Sequence, residues 1–548
     1  MKQPSEFRGY RGSGTLKRSN VAIQWTPELV QEYVKCASDP VYFAQNHMSI
    51  VNVDRGLMTI ELYDYQKEII ETVYKERYTV AECARQSGKT TAITCIVLHY
   101  ILFNENKTVA ILANKAETAR EILSRIQLAY EHLPKWMQQG VIEWNKGSFE
   151  LENGSRVIAA ATSSNNIRGY AINLLIIDEA AFIEGWDKFF TSVLPTITSG
   201  QTTKIVLIST VNGLNHFYKI TSLARQGQNN YKLISIPWQA VPGRDIKWKQ
   251  DTLAAMNFDE DRFAQEFENR YLGSSGTLIS GSKLQQLVPK IPISSTHGLN
   301  LYEKPIEGHN YFAVADVSRG KGLDYCALQV IDVTSMPYRQ VCVFRDNMTT
   351  PADFAEICNR IGREYNMAGV LVEINDIGQQ TADTLYFDYE YEHLLHTASA
   401  GSAGKRITMQ YGKGIDRGIR TTKTVKNVGC SMLKLLIEGD QLLINDFDTI
   451  QELATFSKKN NSYAAEEGCH DDLVMCLVLF AWVTEQRYFK EATDISTLIK
   501  LREIKDEQLM QDLIAFRVDD GSRADSPQYI VEGGEAWSPV AEDSLFPK

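Results

Sequence analysis

Two sets of residues in this 548-residue chain have the types and the spacing to do chemistry. The first lies in residues 81–94, AECARQSGKTTAIT. Gly88, Lys89 and Thr90 in succession match the end of a phosphate-binding loop. Backbone N–H groups at a helix start would face an anion, the lysine would reach β- and γ-oxygens, and the threonine hydroxyl would meet Mg²⁺. Gln86, Ser87 and Thr91 fall within the same cradle. The glycine expected five positions before Gly88 is Cys83. That departure is tolerable if Cys83 keeps a negative φ, since the first glycine chiefly eases the turn. Arg85 could neutralise a γ-phosphate in cis, and Arg168 in SSNNIRGYAI is a second candidate for that role. A strand over 78–82 and a largely buried helix from near Lys89 give the strand–loop–helix context.

A bare Gly-Lys-Thr needs partners. NLLIIDEAAFI (173–183) is an apolar strand ending in two carboxylates. Asp178 suits a Mg²⁺ ligand, and Glu179 can orient and deprotonate water. The same pair also fits a helix N-cap followed by a first-turn acid. The next apolar strand, KIVLISTVNGLNHFY (204–218), ends in Ser209, Thr210 and Asn212. These could sense a γ-phosphate and pass its loss onward, or simply be a strand end, a cap and a turn. Gln66, in LYDYQKEII, carries an amide able both to donate to and to accept from an adenine edge.

The second set consists of carboxylates. After Ser, Gly and Pro clusters over 275–308, which read as a linker, the apolar strand NYFAVADV ends at Asp316. A further strand begins near Asp324, GVLVEINDIG (369–378) carries Glu373, and EEGCHDDLVMCLVLFAW (466–482) sets Asp471 and Asp472 at the start of an apolar helix. Like charges cluster only at a cost unless cations neutralise them, and hard oxygen ligands suit Mg²⁺, with Mn²⁺ as an alternative. A divalent pair held this way would activate water for phosphodiester hydrolysis.

Net charge is −11, yet residues 402–426 carry Lys405, Arg406, Lys413, Arg417, Arg420, Lys423 and Lys426 against one acid, Asp416. Lys405, Arg406, Arg417, Arg420 and Lys423 are the candidate DNA-backbone contacts, with a solvated surface loop as the plain reading. Nine scattered cysteines without a CxxC pair point to a reducing compartment and away from disulfides or structural zinc. No apolar run reaches membrane-spanning length, so no membrane partner is expected. The acidic C-terminal segment reads as partly flexible.

With these residues in place, the chain resembles the large terminase subunits of tailed bacteriophages, nearest the T-even-like branch. ARQSGKTT, IIDEAAFI, NGLNHFY, GTLISG and AAEEGCHDDLVM carry the likeness, which runs from about Tyr63 to about Trp482. The resemblance implies an α/β fold with a P-loop ATPase domain of RecA-like parallel sheet and an RNase H-like nuclease domain. By it, Gln66 contacts adenine, Arg85 is the cis arginine, and Lys89 and Thr90 bind phosphate and Mg²⁺. Asp178 is the metal-binding aspartate, Glu179 the base, and Ser209 to Asn212 the coupling segment. Asp316, Glu373 and Asp472 are the nuclease triad, with Asp324 and Asp471 nearby. The expected arrangement is an N-terminal extension (1–50), ATPase domain (51–275), linker (276–305), nuclease domain (306–490) and acidic tail (491–548). The resemblance further implies ATP as cofactor and double-stranded viral DNA as substrate. It also implies a homo-oligomeric ring on the portal protein, a small terminase subunit as partner, and residence in the host cytoplasm on the procapsid rather than in the mature virion. A helicase-like remodeller without nuclease activity and a scaffold with both sites decayed stay open as alternatives.

Overall fold

The computed structural model describes residues 9–52, 56–162, 167, 169–198, 200–274, 276–322, 324–399, 405–408, 414–459, 462–493, 530–532 and 535–537. Met1–Gln486 and Arg487–Lys548 are two separate compact units.

In the first unit, short apolar runs become strands buried on both faces, as in Thr108–Ala113 and Leu174–Asp178. Strands of that kind require cover on each side, which is the condition for a parallel sheet. Eight strands lie in the order Lys232–Ile236, Tyr78–Cys83, Lys204–Ser209, Leu174–Asp178, Thr108–Ala113, Arg156–Ala161, Ser148–Leu151, Val141–Trp144. The first six run parallel and the last two are added antiparallel. The helix Lys89–Phe103 is apolar around most of its circumference and is buried accordingly.

The N-terminal residues are not an appendage to this domain, although the sequence suggests a division at residue 50. Pro27–Ser38 and Pro40–His47 form helices, the second of which packs against Lys89–Phe103. Cys36, Phe43 and Met48 belong to the same hydrophobic core as the sheet. Asp39 makes the sharp corner between the two helices by accepting from the N–H groups of Val41 and Tyr42 at 2.9 Å each.

A second, mixed sheet has the order Ser294–Thr296, Leu299–Leu301, Tyr338–Asp346, Cys326–Asp332, Tyr311–Asp316, Gly369–Val372. Leu442–Leu443 pairs alongside Tyr338–Asp346. The span 276–305 is therefore more than a linker. It holds the Ser280-capped helix Gly281–Gln286 and a hairpin that extends the sheet, with Leu299 opposite Phe344. Leu299 and Leu301 pack on the second core, which is what draws this segment onto the edge. The helix Asp472–Thr484 packs on Tyr311–Asp316, Cys326–Asp332 and the helix Lys423–Glu438. A small sheet joins Lys405–Thr408, His396–Ser399 and Ile415–Arg417.

In the second unit, Ile530–Glu532 and Glu535–Trp537 pair antiparallel. No helix among the described residues is long and apolar enough to cross a membrane.

Candidate functional sites

Three adjacent parallel strands bring the first site together. Tyr78–Cys83 leads into the phosphate loop, Lys204–Ser209 lies beside it with Ser209 opposite Glu82, and Leu174–Asp178 is next, with Asp178 opposite Ile208. Residues at the carboxyl ends of such strands form the usual ligand crevice of open α/β sheets. Cys83 closes its strand in extended conformation, so the substitution for glycine costs the turn nothing. Gly88 suits its place chiefly through its backbone conformation. Its φ is +76°, and a Cβ there would stand 2.7 Å from Gln66 Nε2.

Lys89 lies between two carboxylates, 3.0 Å from Asp178 Oδ1 and 2.8 Å from Glu179 Oε1. Burial pulls the lysine pKa down, but the two acids raise it above its ordinary value. Burial holds the Asp178 carboxyl above the usual range, with Lys89 opposing. Glu179 sits at φ +54°, a left-handed conformation that a non-glycine residue adopts only when its neighbours enforce it. Those neighbours are Ser209 of the predicted coupling segment and, beyond it, Asn215 and His216. Ser209 Oγ accepts from Ala181 N–H at 3.1 Å, Asn215 Nδ2 donates to Ala181 O at 2.6 Å, and His216 Nε2 bonds Ala180 O at 2.7 Å. Thr210 is buried beside Ser209, and Asn212 lines a cleft of ≈ 410 Å³ together with Arg345, Glu452 and His470.

Two side chains expected to meet the nucleotide make contacts within the protein. Gln66 is buried, with Nε2 donating to Gly88 O at 3.1 Å and Oε1 accepting from Tyr63 N–H at 2.9 Å. One hydrogen of Nε2 and one lone pair of Oε1 are thus engaged with the protein backbone. The Arg85 guanidinium is engaged with an acid of the protein itself. It pairs with Glu266 at 3.1 Å on a 60% exposed side chain, drawn there by the nearest carboxylate. Arg168 lies outside the described residues.

The second site gathers carboxylates from two strand ends and one helix start. Asp316 ends Tyr311–Asp316, Glu373 follows Gly369–Val372 on the neighbouring parallel strand, and Asp472 opens Asp472–Thr484. Burial, then the charges of Glu373 and Asp472, hold the Asp316 carboxyl well above its ordinary pKa. Burial also raises Glu373, with the charge of Lys426 opposing and that of Asp471 adding to the rise. Burial pushes Asp472 up to about 6, with Asp471 and the exposed Asp324 adding to the rise. Asp471 is the more solvated of the pair, and its Oδ2 lies 3.9 Å from Lys426 Nζ. Among the described residues, the one group whose ligand atoms all lie within 4.8 Å of one another is Glu32, Cys36 and His47. Asp316, Glu373 and Asp472 are spread more widely than a single ion's ligand shell.

The family models match both halves of this geometry. "Terminase large subunit, T4likevirus-type, N-terminal" covers residues 80–286, and "Terminase RNaseH-like domain" covers 313–494. The chain belongs to the large terminase subunit family. The terminase large subunit of Thermus virus P23-45 is 24% identical over 439 residues, covering 73% of this chain and 83% of that protein. Tripartite terminase subunit 3 of equine herpesvirus 2 (strain 86/87) is 29% identical over 160 residues, 28% of this chain and 22% of that one. The crystal structure of the HK97 bacteriophage large terminase aligns with 81% of this chain and 99% of its own, at 15% identity and a TM-score of 0.44. This terminase is accordingly an ATPase and a nuclease, the enzyme of a DNA-packaging motor.

The basic segment of the terminase borders the carboxylates. Glu373 bridges Ile419, Asn375 Nδ2 donates to Thr421 O at 3.3 Å, and Gly418, at φ +103°, lets the chain pass against Val372. Its cations are not equivalent, however. Lys405 is 2.6 Å from Asp416, and Arg417 is 2.9 Å from Asp383 while stacked 4.4 Å over Phe387. Arg417 is thus already engaged within the fold. Arg406 and Lys423 are exposed, as is Arg420, 3.9 Å from Asp416; Lys413 lies outside the described residues.

Sequence reasoning missed Glu452 and Arg345. Glu452 accepts from the N–H groups of Leu473 and Val474 at 2.8 and 3.1 Å, capping the helix that carries Asp472, and Arg345 pairs with it at 3.1 Å. Burial pushes Glu452 up to about 8. Nothing local marks either residue: Glu452 lies in an ordinary amphipathic helix, Arg345 near the end of a buried strand, and each acquires its role only through tertiary contact.

Proposed function

We infer that the two sites divide the work of one motor: the first hydrolyses ATP to translocate double-stranded viral DNA into a procapsid, and the second cuts that DNA. The observation that carries the reading is that two separate carboxylate sites stand at strand ends of two different sheets in one chain. One is built around a lysine on a phosphate loop, the other around acids alone.

At the first site the residues fit MgATP. The N–H groups at the start of Lys89–Phe103 and the Lys89 ammonium form an anion site, and Thr90 and Asp178 would hold Mg²⁺. Glu179 is placed to take the proton of an attacking water. The salt link Lys89–Glu179 must open for that, because the ammonium is needed on the phosphates. Ser209 and Asn215 hold the turn after Glu179, so movement there reaches Asn212 and the cleft beyond it.

At the second site an all-oxygen donor set from two strand ends and a helix start fits hard divalent cations. The wide spread of the acids suits two ions, held by Asp316, Glu373 and Asp472 with Asp471 and Asp324 at the margin. Mg²⁺ or Mn²⁺ there would activate water and stabilise the leaving oxygen. Arg406, Arg420 and Lys423 would meet DNA phosphates beside it. A portal protein, a small terminase subunit, a ring of copies of this chain and a site of action in the host cytoplasm complete the proposal.

ATP-driven uptake of DNA into purified procapsids by the full chain tests the reading. Uptake that requires ATP supports it. DNA-stimulated ATP hydrolysis without uptake or Mg²⁺-dependent cutting would favour the remodeller instead.

A further inference from the structure

Four consecutive carbonyls of the phosphate loop, Arg85 to Gly88, are each taken by a side chain from outside the loop. Arg244 Nη2 donates to Arg85 O at 3.0 Å and to Gln86 O at 2.9 Å. Tyr65 Oη donates to Ser87 O at 2.5 Å, and Gln66 Nε2 to Gly88 O at 3.1 Å. In a trans peptide the carbonyl and the following N–H point in opposite directions. Each carbonyl so fastened therefore turns the N–H of the following residue, Gln86, Ser87, Gly88 or Lys89, away from the side chain that holds it. Ser87 N–H makes a 3.3 Å bond to Ala84 O, while those of Gln86, Gly88 and Lys89 have no partner among the described residues. Successive N–H groups turned the same way are an anion-binding concavity.

The loop needs such support. Gln86 stands at φ +55°, a conformation that costs a non-glycine residue free energy unless its surroundings impose it. The residue that grips its carbonyl comes from far along the chain. Arg244 follows the Trp238–Ala240 turn, and its guanidinium is stacked 4.6 Å over Trp248 and 5.8 Å over Phe267. Glu266, on the adjoining helix, accepts Arg85 N–H through its backbone O at 2.8 Å and takes the Arg85 side chain through its carboxylate. The segment 238–267 thus holds the loop at its first two peptides, while Tyr65 and Gln66 hold it at the last two.

We propose that Arg244 is a positioning residue for nucleoside triphosphate binding: it fastens the Arg85 and Gln86 carbonyls so that the loop presents its N–H groups to the β- and γ-phosphates. It touches no phosphate itself. Both bonds come from the one nitrogen Nη2, which is held in place by the stacking of the planar guanidinium over Trp248, and that stacking is what lysine cannot reproduce. The proposal rests on the ATPase reading of this site.

The test uses the full chain with ATP and, for binding, a slowly hydrolysed ATP analogue. Loss of a restraint that serves ground and transition states alike raises KM more than it lowers kcat. Arg244→Ala should weaken analogue binding and raise KM by roughly tenfold to a hundredfold, with a smaller fall in kcat. Arg244→Lys should lie between, and added guanidinium ion should restore part of the Arg244→Ala affinity by refilling the site between Trp248 and the loop. DNA cutting, which depends on other residues, reports that the variant is folded. Wild-type affinity in Arg244→Ala overturns the proposal. So does a loss of affinity that neither guanidinium nor lysine relieves, since the arginine would then be a general packing element. A wild-type chain that binds no ATP would instead sink the ATPase reading, before any variant is compared.

Discussion

Both sites rest on a buried strand that ends in a carboxylate, yet they neutralise that charge in opposite ways. The phosphate site carries its own cation: Lys89 lies within 3.0 Å of both Asp178 and Glu179. At the second site the charges of Asp316, Glu373 and Asp472 bear on one another, and Lys426 stands 3.9 Å from Asp471 at the margin. A site with a resident ammonium and inward N–H groups is organised for an anion. A site of acids whose pKa values are raised by burial and by one another is organised for cations. The contrast explains how one chain can run two phosphate chemistries without merging them.

The largest effect that could break this comparison is at Glu179. Glu179→Gln keeps the size and the hydrogen bond to Lys89 but cannot take a proton, so turnover should fall by about 10²–10⁴ while ATP still binds. Steady-state hydrolysis beside nucleotide affinity checks it, and near-normal turnover would remove Glu179 from the role of base.

A smaller effect concerns the surface beside the acids. DNA must approach a negative cluster, and Arg406, Arg420 and Lys423 are the exposed cations placed to offset it. Changing all three to alanine should lower affinity equally for two unrelated duplexes. The slope of log K against log salt should flatten by roughly 0.9 for each phosphate left without its cation. An Arg417→Ala change should act instead on folding of the small sheet, because that guanidinium is held by Asp383 and Phe387. An unchanged slope in the triple variant would make the segment a solvated surface.

The smallest effect is one of stability. Buried like-charged acids oppose folding when no cation is present, so Asp316→Asn should raise the melting temperature of the metal-free protein. Adding Mg²⁺ should then stabilise wild type more than the variant. A drop in metal-free stability would mean that Asp316 is a structural carboxylate.

Much of this was legible in the chain. The phosphate loop, the Asp178–Glu179 pair and Asp316, Glu373 and Asp472 each sit on a strand end or helix start that local patterning marks. Other features depended on distant partners and left no local signature. Arg85 looked available because its partner, Glu266, lies 181 residues away. Gln66 looked free because nothing nearby announces the Gly88 carbonyl that it meets. The span 276–305 looked like a linker because three-residue strands are too short to show periodicity. Arg417 looked like a surface charge because Asp383 and Phe387 approach it only in the fold.

The central claim is that the two sites are chemically independent, and one crossed measurement tests it. ATP hydrolysis and Mg²⁺-dependent plasmid cutting would be measured on the same preparations of wild type, Glu179→Gln and Asp316→Ala. The account predicts that Glu179→Gln loses hydrolysis and keeps cutting, whereas Asp316→Ala loses cutting and keeps hydrolysis. Loss of both activities in each correctly folded variant would contradict it and show a single merged site.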